Sequence, residues 1–398
     1  MQTLQKTMLS ITILLLVICA GCTTYNVEEK TAAAADQRSD KEIIDGVKPI
    51  EKKQMTSFQD RKVKQNSDKD QRITVSAVGD ILIHDVVYNS AKKGNGYDFK
   101  PILKEMKPYL RKADLAFANQ ESMIGGSALG LSSYPRFNSP LEVGNAVADA
   151  GVDIVSLANN HTLDRGEAAI MRATDHWRKL GVAYVGSYRN EGDREKLRIL
   201  KTSSGMRVAF LAYTYGTNGL SVPPGKPYLV NLIDKKRIAG EIARAKKAGA
   251  EAVVLSLHFG DEYAREPNKM QEDLVCYAAK AGADVVLGHH PHVLQPVEWV
   301  KGKNGRTLVI HSLGNFISGQ KGVYKQAGGM LTWDFVKKDG RITVEHPRFM
   351  PTWVTYGKWT PEPLFKVKKG ILPNRDTIYT EVKSHMKKRM PDLEFMER

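Results

Sequence analysis

Hydrophobic and polar positions divide this chain into textures that change sharply along its length. From Met8 to about Ala20 the residues are almost uninterruptedly apolar, and from 23 to about 72 charged and amide residues dominate. From Ile73 onward, short apolar runs alternate with longer amphipathic ones. Short runs bounded by glycine or polar residues read as buried strands. They are Ile73–Val78, Leu115–Ala118, Asp153–Leu157, Val182–Gly186, Arg207–Tyr213, Ala252–Leu257, Asp284–Leu287 and Thr307–His311. Segments with apolar positions spaced three and four apart read as helices: Leu141–Ala150, Glu167–Leu180, Lys235–Ala248 and Lys269–Ala281. Gly151, Gly181, Gly249 and Gly282 each stand between a helix and the next strand, where a left-handed cap is wanted. This alternation is the mark of a layered α/β fold. Further on, Gly329–Val336 and Arg341–His346 flank Lys338-Asp339-Gly340, a β-hairpin turn signal.

The apolar run at the start is short for a membrane span and suits the core of a signal peptide. It ends in Ile18-Cys19-Ala20-Gly21-Cys22, which resembles a bacterial lipobox, although Cys19 stands where leucine is usual. The expectation is a signal peptide over 1–21, lipid on Cys22, and a charged tether over 22–72. That tether has too little apolar surface to offset chain entropy. An ordinary secretory signal or a single anchor helix is the alternative. Lipidation of Cys22 would leave Cys276 as the one thiol of the mature chain, so no internal disulfide is expected. Cys276 falls in a helical pattern and is expected to be a small buried residue. The net charge of +15 favours anionic partners, or marks a generally basic exported surface. No nucleic-acid-binding motif is present, so nucleic acid is not expected as a partner.

The strand ends carry the chemistry. Asp80 and His84 follow the first strand; Asn119-Gln120-Glu121 follow the second; Asn159-Asn160-His161 and Asp164 follow the third. His258, Gly260 and Glu262-Tyr263 follow a later one, the cluster Gly288-His289-His290-Pro291-His292 the next, and Ser312-Leu313-Gly314-Asn315 the last. One aspartate after a strand is usually a cap, and one histidine usually a satisfied polar group. The joint pattern is different, because ligands bind past the carboxyl ends of strands in open sheets. Carboxylate, amide and imidazole together suit divalent Mn, Zn or Fe. Such ions orient phosphate, activate water and stabilise a leaving oxygen.

Gly79-Asp80-Ile81-Leu82, Ala158-Asn159-Asn160-His161 with Asp164 and Gly166, His258-x-Gly260-x-Glu262-Tyr263, Gly288-His289-His290-Pro291-His292-Val293-Leu294-Gln295 and Ser312-Leu313-Gly314-Asn315-Phe316 closely resemble the CapA/PgsA family. Its members are capsule or poly-γ-glutamate biosynthesis proteins related to calcineurin-like metallophosphoesterases. The resemblance spans roughly 73–320 and leaves 321–398 as a C-terminal hairpin and basic extension that completes the domain or packs on it. It implies a four-layer metallophosphoesterase-like sandwich with mixed sheets and one or two divalent metal ions. It also implies Asp80, Glu121, Asn160, His258, His290 and His292 as metal ligands, with His289 an alternative. His161 would act as the catalytic acid oriented by Asp164, and Asn315 and Glu262 would meet substrate. Leu82 stands where the wider superfamily has a histidine, so a single metal is also compatible, and His84 is a candidate replacement.

Three functions follow from that resemblance. The first is a membrane-tethered metal-dependent hydrolase, uncertain as an enzyme but phosphoesterase-like, acting on an anionic polymer or phosphoester substrate. The second is a polyanion-binding scaffold beside the membrane subunits of a polymer synthase. The third is an amide hydrolase acting on a polyglutamate-type chain. In each, the lipid would hold the protein on the extracytoplasmic face of a bacterial cell membrane.

Overall fold

The computed structural model describes residues 71–397. The expected lipobox, Cys22 and tether lie outside the described residues. In chain order the main strands are β1 (Gln71–Leu82), β2 (Leu115–Gln120), β3 (Ile154–Ser156), β4 (Ala183–Val185), β5 (Arg198–Lys201), β6 (Arg207–Thr214) and β7 (Ala252–His258). They continue as β8 (Val285–His289), β9 (Leu294–Gly302), β10 (Gly305–Leu313), β11 (Asn315–Ser318), β12 (Ala327–Lys338), β13 (Arg341–Thr355) and β14 (Thr360–Pro363). The longer helices are α1 (Glu142–Ala150), α2 (Gly166–Leu180), α3 (Lys235–Lys247), α4 (Lys269–Ala281) and α5 (Arg375–Met386).

Two mixed sheets face each other. The first runs β14-β13-β12-β1-β2-β3-β4, with β11 parallel to the end of β1. The second runs β9-β10-β8-β7-β6-β5. Alternation along each strand decides which core a residue joins. Ile73, Val75, Ala77, Leu115 and Phe117 point between the sheets, where they meet Val208, Phe210, Val254, Val285 and Leu287. Ala116, Ala118 and Val155 face α1 and α2 through Val143, Val147, Ile170 and Trp177. Val253, Leu255 and Val286 face α3 and α4 through Ile238, Ile242, Leu274 and Val275. The layers are therefore helix, sheet, sheet, helix, the four-layer α/β sandwich expected from the resemblance.

The C-terminal segment enters the middle of the first sheet. β12 pairs antiparallel with β1, from Gln71 opposite Lys337 to Val78 opposite Met330. Leu331, Trp333 and Phe335 of β12 lie in the central core with Ile378, Val382 and Met386 of α5. The helix ends agree with the glycine signal, since Gly151, Gly181 and Gly282 take left-handed φ values of 100°, 73° and 109° at the caps of α1, α2 and α4.

Two local expectations are corrected. Cys276 lies on α4 as expected but is exposed rather than buried. The buried face of α4 carries Gln271, Leu274, Val275, Ala278 and Ala279, and helical rotation sets Cys276 on the opposite side, with Asp273 and Lys280. The first strand does not end before Asp80. It continues to Leu82, and its register shifts around Asp80 against both β2 and β11. Gly79 permits this, because a Cβ there would run into the Gly314 carbonyl, which instead accepts from the Asp80 N–H at 2.9 Å.

Candidate functional site

Both sheets present their strand ends at one rim. The first contributes Asp80, Glu121, Asn160 and His161; the second contributes His258, His289, His290 and His292, and all of these are buried. Close backbone approach makes this possible. A Cβ on Gly288 would strike the His311 carbonyl, so glycine is required directly before the histidine cluster. His290 and His292 then take positive φ values of 99° and 58°, strained conformations that cluster at functional sites. The strain turns the chain so that both rings face the carboxylates.

Asp80, Glu121 and His292 bring one donor atom each to within 4.8 Å of one another, as do Glu121, His258 and His290, and Glu262, His290 and His292. His292 Nδ1 lies 3.2 Å from Asp80 Oδ2, and its Nε2 lies 3.7 Å from Glu121 Oε1. His258 Nε2 lies 3.6 Å from the same Glu121 oxygen and 2.8 Å from Asn160 Oδ1. Donor atoms placed about 2.1 Å from one ion sit roughly 3 to 4 Å from each other at tetrahedral or octahedral angles. The spacing here is of that kind. Neither Glu121 oxygen has a hydrogen-bond partner, although the residue is fully buried. A buried, unpartnered carboxylate is costly unless a cation compensates it. The residues therefore fit a divalent metal.

The charges agree. Burial drives the His258 imidazole well below its usual range and lowers His290 to about 3, leaving both neutral with lone pairs to give. Burial pushes the Glu121 carboxyl well above the ordinary carboxylate range. Burial opposes ionisation of Asp80 as well, but the His289 and His292 imidazoles beside it outweigh that and hold the carboxyl well below its usual value. Burial also works against the charged form of His292, yet the Glu121 and Asp80 carboxylates raise it to about 9. Asp80 further accepts from Asn119 Nδ2 at 2.8 Å.

Beside this cluster, His161 Nδ1 lies 2.7 Å from Asp164 Oδ2, which also accepts from the Phe137 N–H at 2.7 Å. The ring packs edge-on against Phe137, with centroids 4.7 Å apart. With Nδ1 committed to Asp164, Nε2 is the nitrogen available to a substrate. Asn315, buried, places Oδ1 3.1 Å from His292 Nδ1. Glu262 is exposed at the mouth.

Other expectations come out differently. His84 does not join the cluster. Its Nδ1 lies 3.1 Å from the Leu82 carbonyl and 3.1 Å from the Gly319 amide, and its ring lies against Phe137. His289 is fully buried behind Asp80, with Nδ1 3.3 Å from Oδ1, and belongs to none of the three donor groups. Sequence reasoning missed Asn218, whose Oδ1 accepts from Asn160 Nδ2 at 3.2 Å and whose Nδ2 lies 3.5 Å from His161 Nδ1. It also missed Tyr215, whose ring is 4.7 Å from that of His290. Tyr215 directly follows β6, so the strand-end rule applied to that strand would have found it. Asn218 carries no such signal.

Comparison with known proteins agrees with the motifs. The family model for bacterial capsule synthesis protein PGA_cap matches residues 74–320. The capsule biosynthesis protein CapA of Bacillus anthracis is 29% identical over 262 residues, 63% of this chain and 61% of that one, so the match spans about three-fifths of that relative's length. The PGA biosynthesis protein CapA of Bacillus subtilis (strain 168) is 28% identical over 316 residues, covering 78% of this chain and 77% of that one. Among solved structures, the calcineurin-like phosphoesterase YfkN from Bacillus subtilis is similar at a TM-score of 0.43 and 14% identity, covering 80% of this chain and 100% of that one. With the family model covering more than half of its length, this chain belongs to the bacterial capsule synthesis protein family PGA_cap.

Proposed function

We propose that the protein is a metal-dependent hydrolase of phosphoesterase type, acting in the synthesis of poly-γ-glutamate or a related anionic envelope polymer. The observation that carries this reading is Glu121, buried with both oxygens unpartnered and ringed by Asp80, His258, His290 and His292. Asp80, Glu121, Asn160, His258, His290 and His292 would hold one or two divalent ions. Such ions supply Lewis-acid activation of water and charge neutralisation at a phosphoryl group. His161 would give a proton from Nε2 to the departing oxygen, and Asp164 holds its Nδ1 to fix ring and tautomer. Asn218, held by a hydrogen bond from Asn160 Nδ2, lines the cluster side of this pair. Lipid on Cys22 would keep this chemistry at the extracytoplasmic face of the membrane. The basic net charge favours an anionic substrate.

The test is metal content and turnover measured together. Purified protein should carry stoichiometric Mn, Zn or Fe, lost in Asp80→Ala and His292→Ala. His161→Ala should keep the metal and lose hydrolysis of phosphoester substrates. Folded protein that takes up none of these metals would end the hydrolase reading.

A further inference from the structure

We propose that Lys325, seated on the ring of Tyr263, is a specificity-determining residue that binds a second anionic group of the substrate, next to the group held at the carboxylate–histidine cluster. This rests on the hydrolase reading above and narrows its substrate to molecules carrying two anionic groups, a phosphate to be cleaved and a neighbouring carboxylate or phosphate.

The segment after β11 carries this lysine to the mouth of the site. The Lys325 ammonium sits 4.7 Å from the centre of the Tyr263 ring, and among the described residues it forms no ion pair. Tyr263 is 47% exposed, and its ring centre lies 6.2 Å from that of His292. A lysine resting on a surface tyrosine is by itself ordinary packing. Here both partners are fastened to the cluster. Tyr263 holds a positive φ of 67°, and its N–H donates to the Pro291 carbonyl at 2.8 Å, between His290 and His292. A non-glycine residue in that conformation persists only where its surroundings enforce it.

The lysine is fastened through Asn315. This buried amide donates from Nδ2 to the Lys325 carbonyl at 2.9 Å and to Gln320 Oε1 at 3.0 Å, while its Oδ1 lies 3.1 Å from His292 Nδ1. Gln320 Nε2 in turn donates to the Tyr263 hydroxyl at 3.3 Å. One buried side chain thus sets the position of the segment carrying the cation and touches a histidine of the cluster. An ammonium held over an aromatic face, with no carboxylate of its own, keeps its charge available to an incoming anion. A substrate with one phosphate among the carboxylates and histidines would place a flanking anion past the Tyr263 ring, where Lys325 stands.

Binding should be measured by calorimetry on the full chain, metal-loaded and chelator-treated, for wild type, Lys325→Ala and Lys325→Arg. The probes are methylphosphonate, with one anionic group, tripolyphosphate, whose further groups are phosphates, and phosphonobutyrate, whose second group is a carboxylate. Lys325→Ala should weaken the longer probes about tenfold and methylphosphonate by less than about twofold, with Lys325→Arg keeping most of the affinity. Which longer probe loses more identifies the flanking group as carboxylate or phosphate. Equal weakening of all three probes, or of none, overturns the assignment. If wild type binds no metal, the hydrolase reading falls by itself. The chelator-treated arm then judges the lysine: Lys325-dependent binding of a longer probe supports it, and its absence overturns it.

Discussion

Replacing Glu121 by glutamine separates a metal-facing carboxylate from a packing residue, because the two roles predict opposite outcomes. The change keeps shape and volume and removes only the capacity for charge. Within the protein neither Glu121 oxygen is hydrogen-bonded, and burial pushes the carboxyl well above its ordinary range. The amide of the Glu121→Gln variant would inherit the same unpartnered surroundings, so the swap should be neutral or stabilising by up to about 1 kcal/mol. With metal present the sign reverses. An ion at a thousand times its Kd stabilises the native state by about 4 kcal/mol. At roughly 2 °C per kcal/mol for a domain of this size, wild type should gain about 8 °C. Loss of a charged ligand should weaken binding at least as much as the roughly 100-fold known for residues that merely support ligands. That leaves at most about 1.4 kcal/mol of stabilisation at the same metal concentration, or about 3 °C. Differential scanning calorimetry of both proteins, chelated and with added Mn or Zn, reads all four values. A variant that melts several degrees lower without metal, yet keeps the full metal-induced rise, would refute the reasoning and make Glu121 a packing group.

Further outcomes are expected elsewhere in the site. Against burial, the Glu121 and Asp80 carboxylates raise the His292 pKa from 6.5 to about 9, so its contribution to metal-free stability is complete below pH 6.5 and disappears as pH rises through 9. Urea unfolding of chelated wild type should lose up to roughly 3 kcal/mol more across that window than His292→Gln does, and equal slopes in both would contradict it. Gly288→Ala forces a Cβ into the His311 carbonyl and should cost on the order of 3 kcal/mol, read from the urea midpoint. Asp164→Asn removes the carboxylate charge, and one of its two acceptor oxygens, from the group that faces His161 and the Phe137 N–H. It should cut turnover by about 100-fold or more with metal content unchanged, and parallel loss of metal would assign Asp164 a structural role instead.

Most of the described strands, and helices α1 to α4, follow the apolar runs read along the chain because each buried element repeats a simple period; α5 lies in the basic C-terminal segment that the pattern left unassigned. Val75, Ala77, Val253 and Leu255 fall on alternate faces, and the helices keep an apolar stripe. What escaped the reading has no such period. Arg198–Lys201 pairs along the outer side of β6 with charged residues at both ends, and Asn315–Ser318 is too short to repeat anything. The strand Leu294–Gly302 begins inside the motif Gly288–Gln295, where the histidines and Pro291 break any alternation. Cys276 was misplaced because adjacent apolar residues in a helix do not share a face.

The site divides in the same way. Asp80, Glu121, Asn160, His161, His258 and the histidine cluster are legible one by one, since polar ligand-type residues directly after apolar strands break the local pattern. Their union is not legible. Strand ends from two different sheets meet at one rim only because the sheets stack face to face, with β12, from beyond residue 326, inserted beside β1. The desolvation that perturbs Glu121, His258 and His292 belongs to that packing, as does the approach of Tyr215 and Asn218, from the loop after β6, and of Lys325, from the segment after β11, to the mouth. The sequence by itself determined which residues have metal-type chemistry and which segments carry them, because composition and period are local properties. Tertiary structure alone decided which of them share a buried volume, because distance and dielectric depend on contacts far apart along the chain.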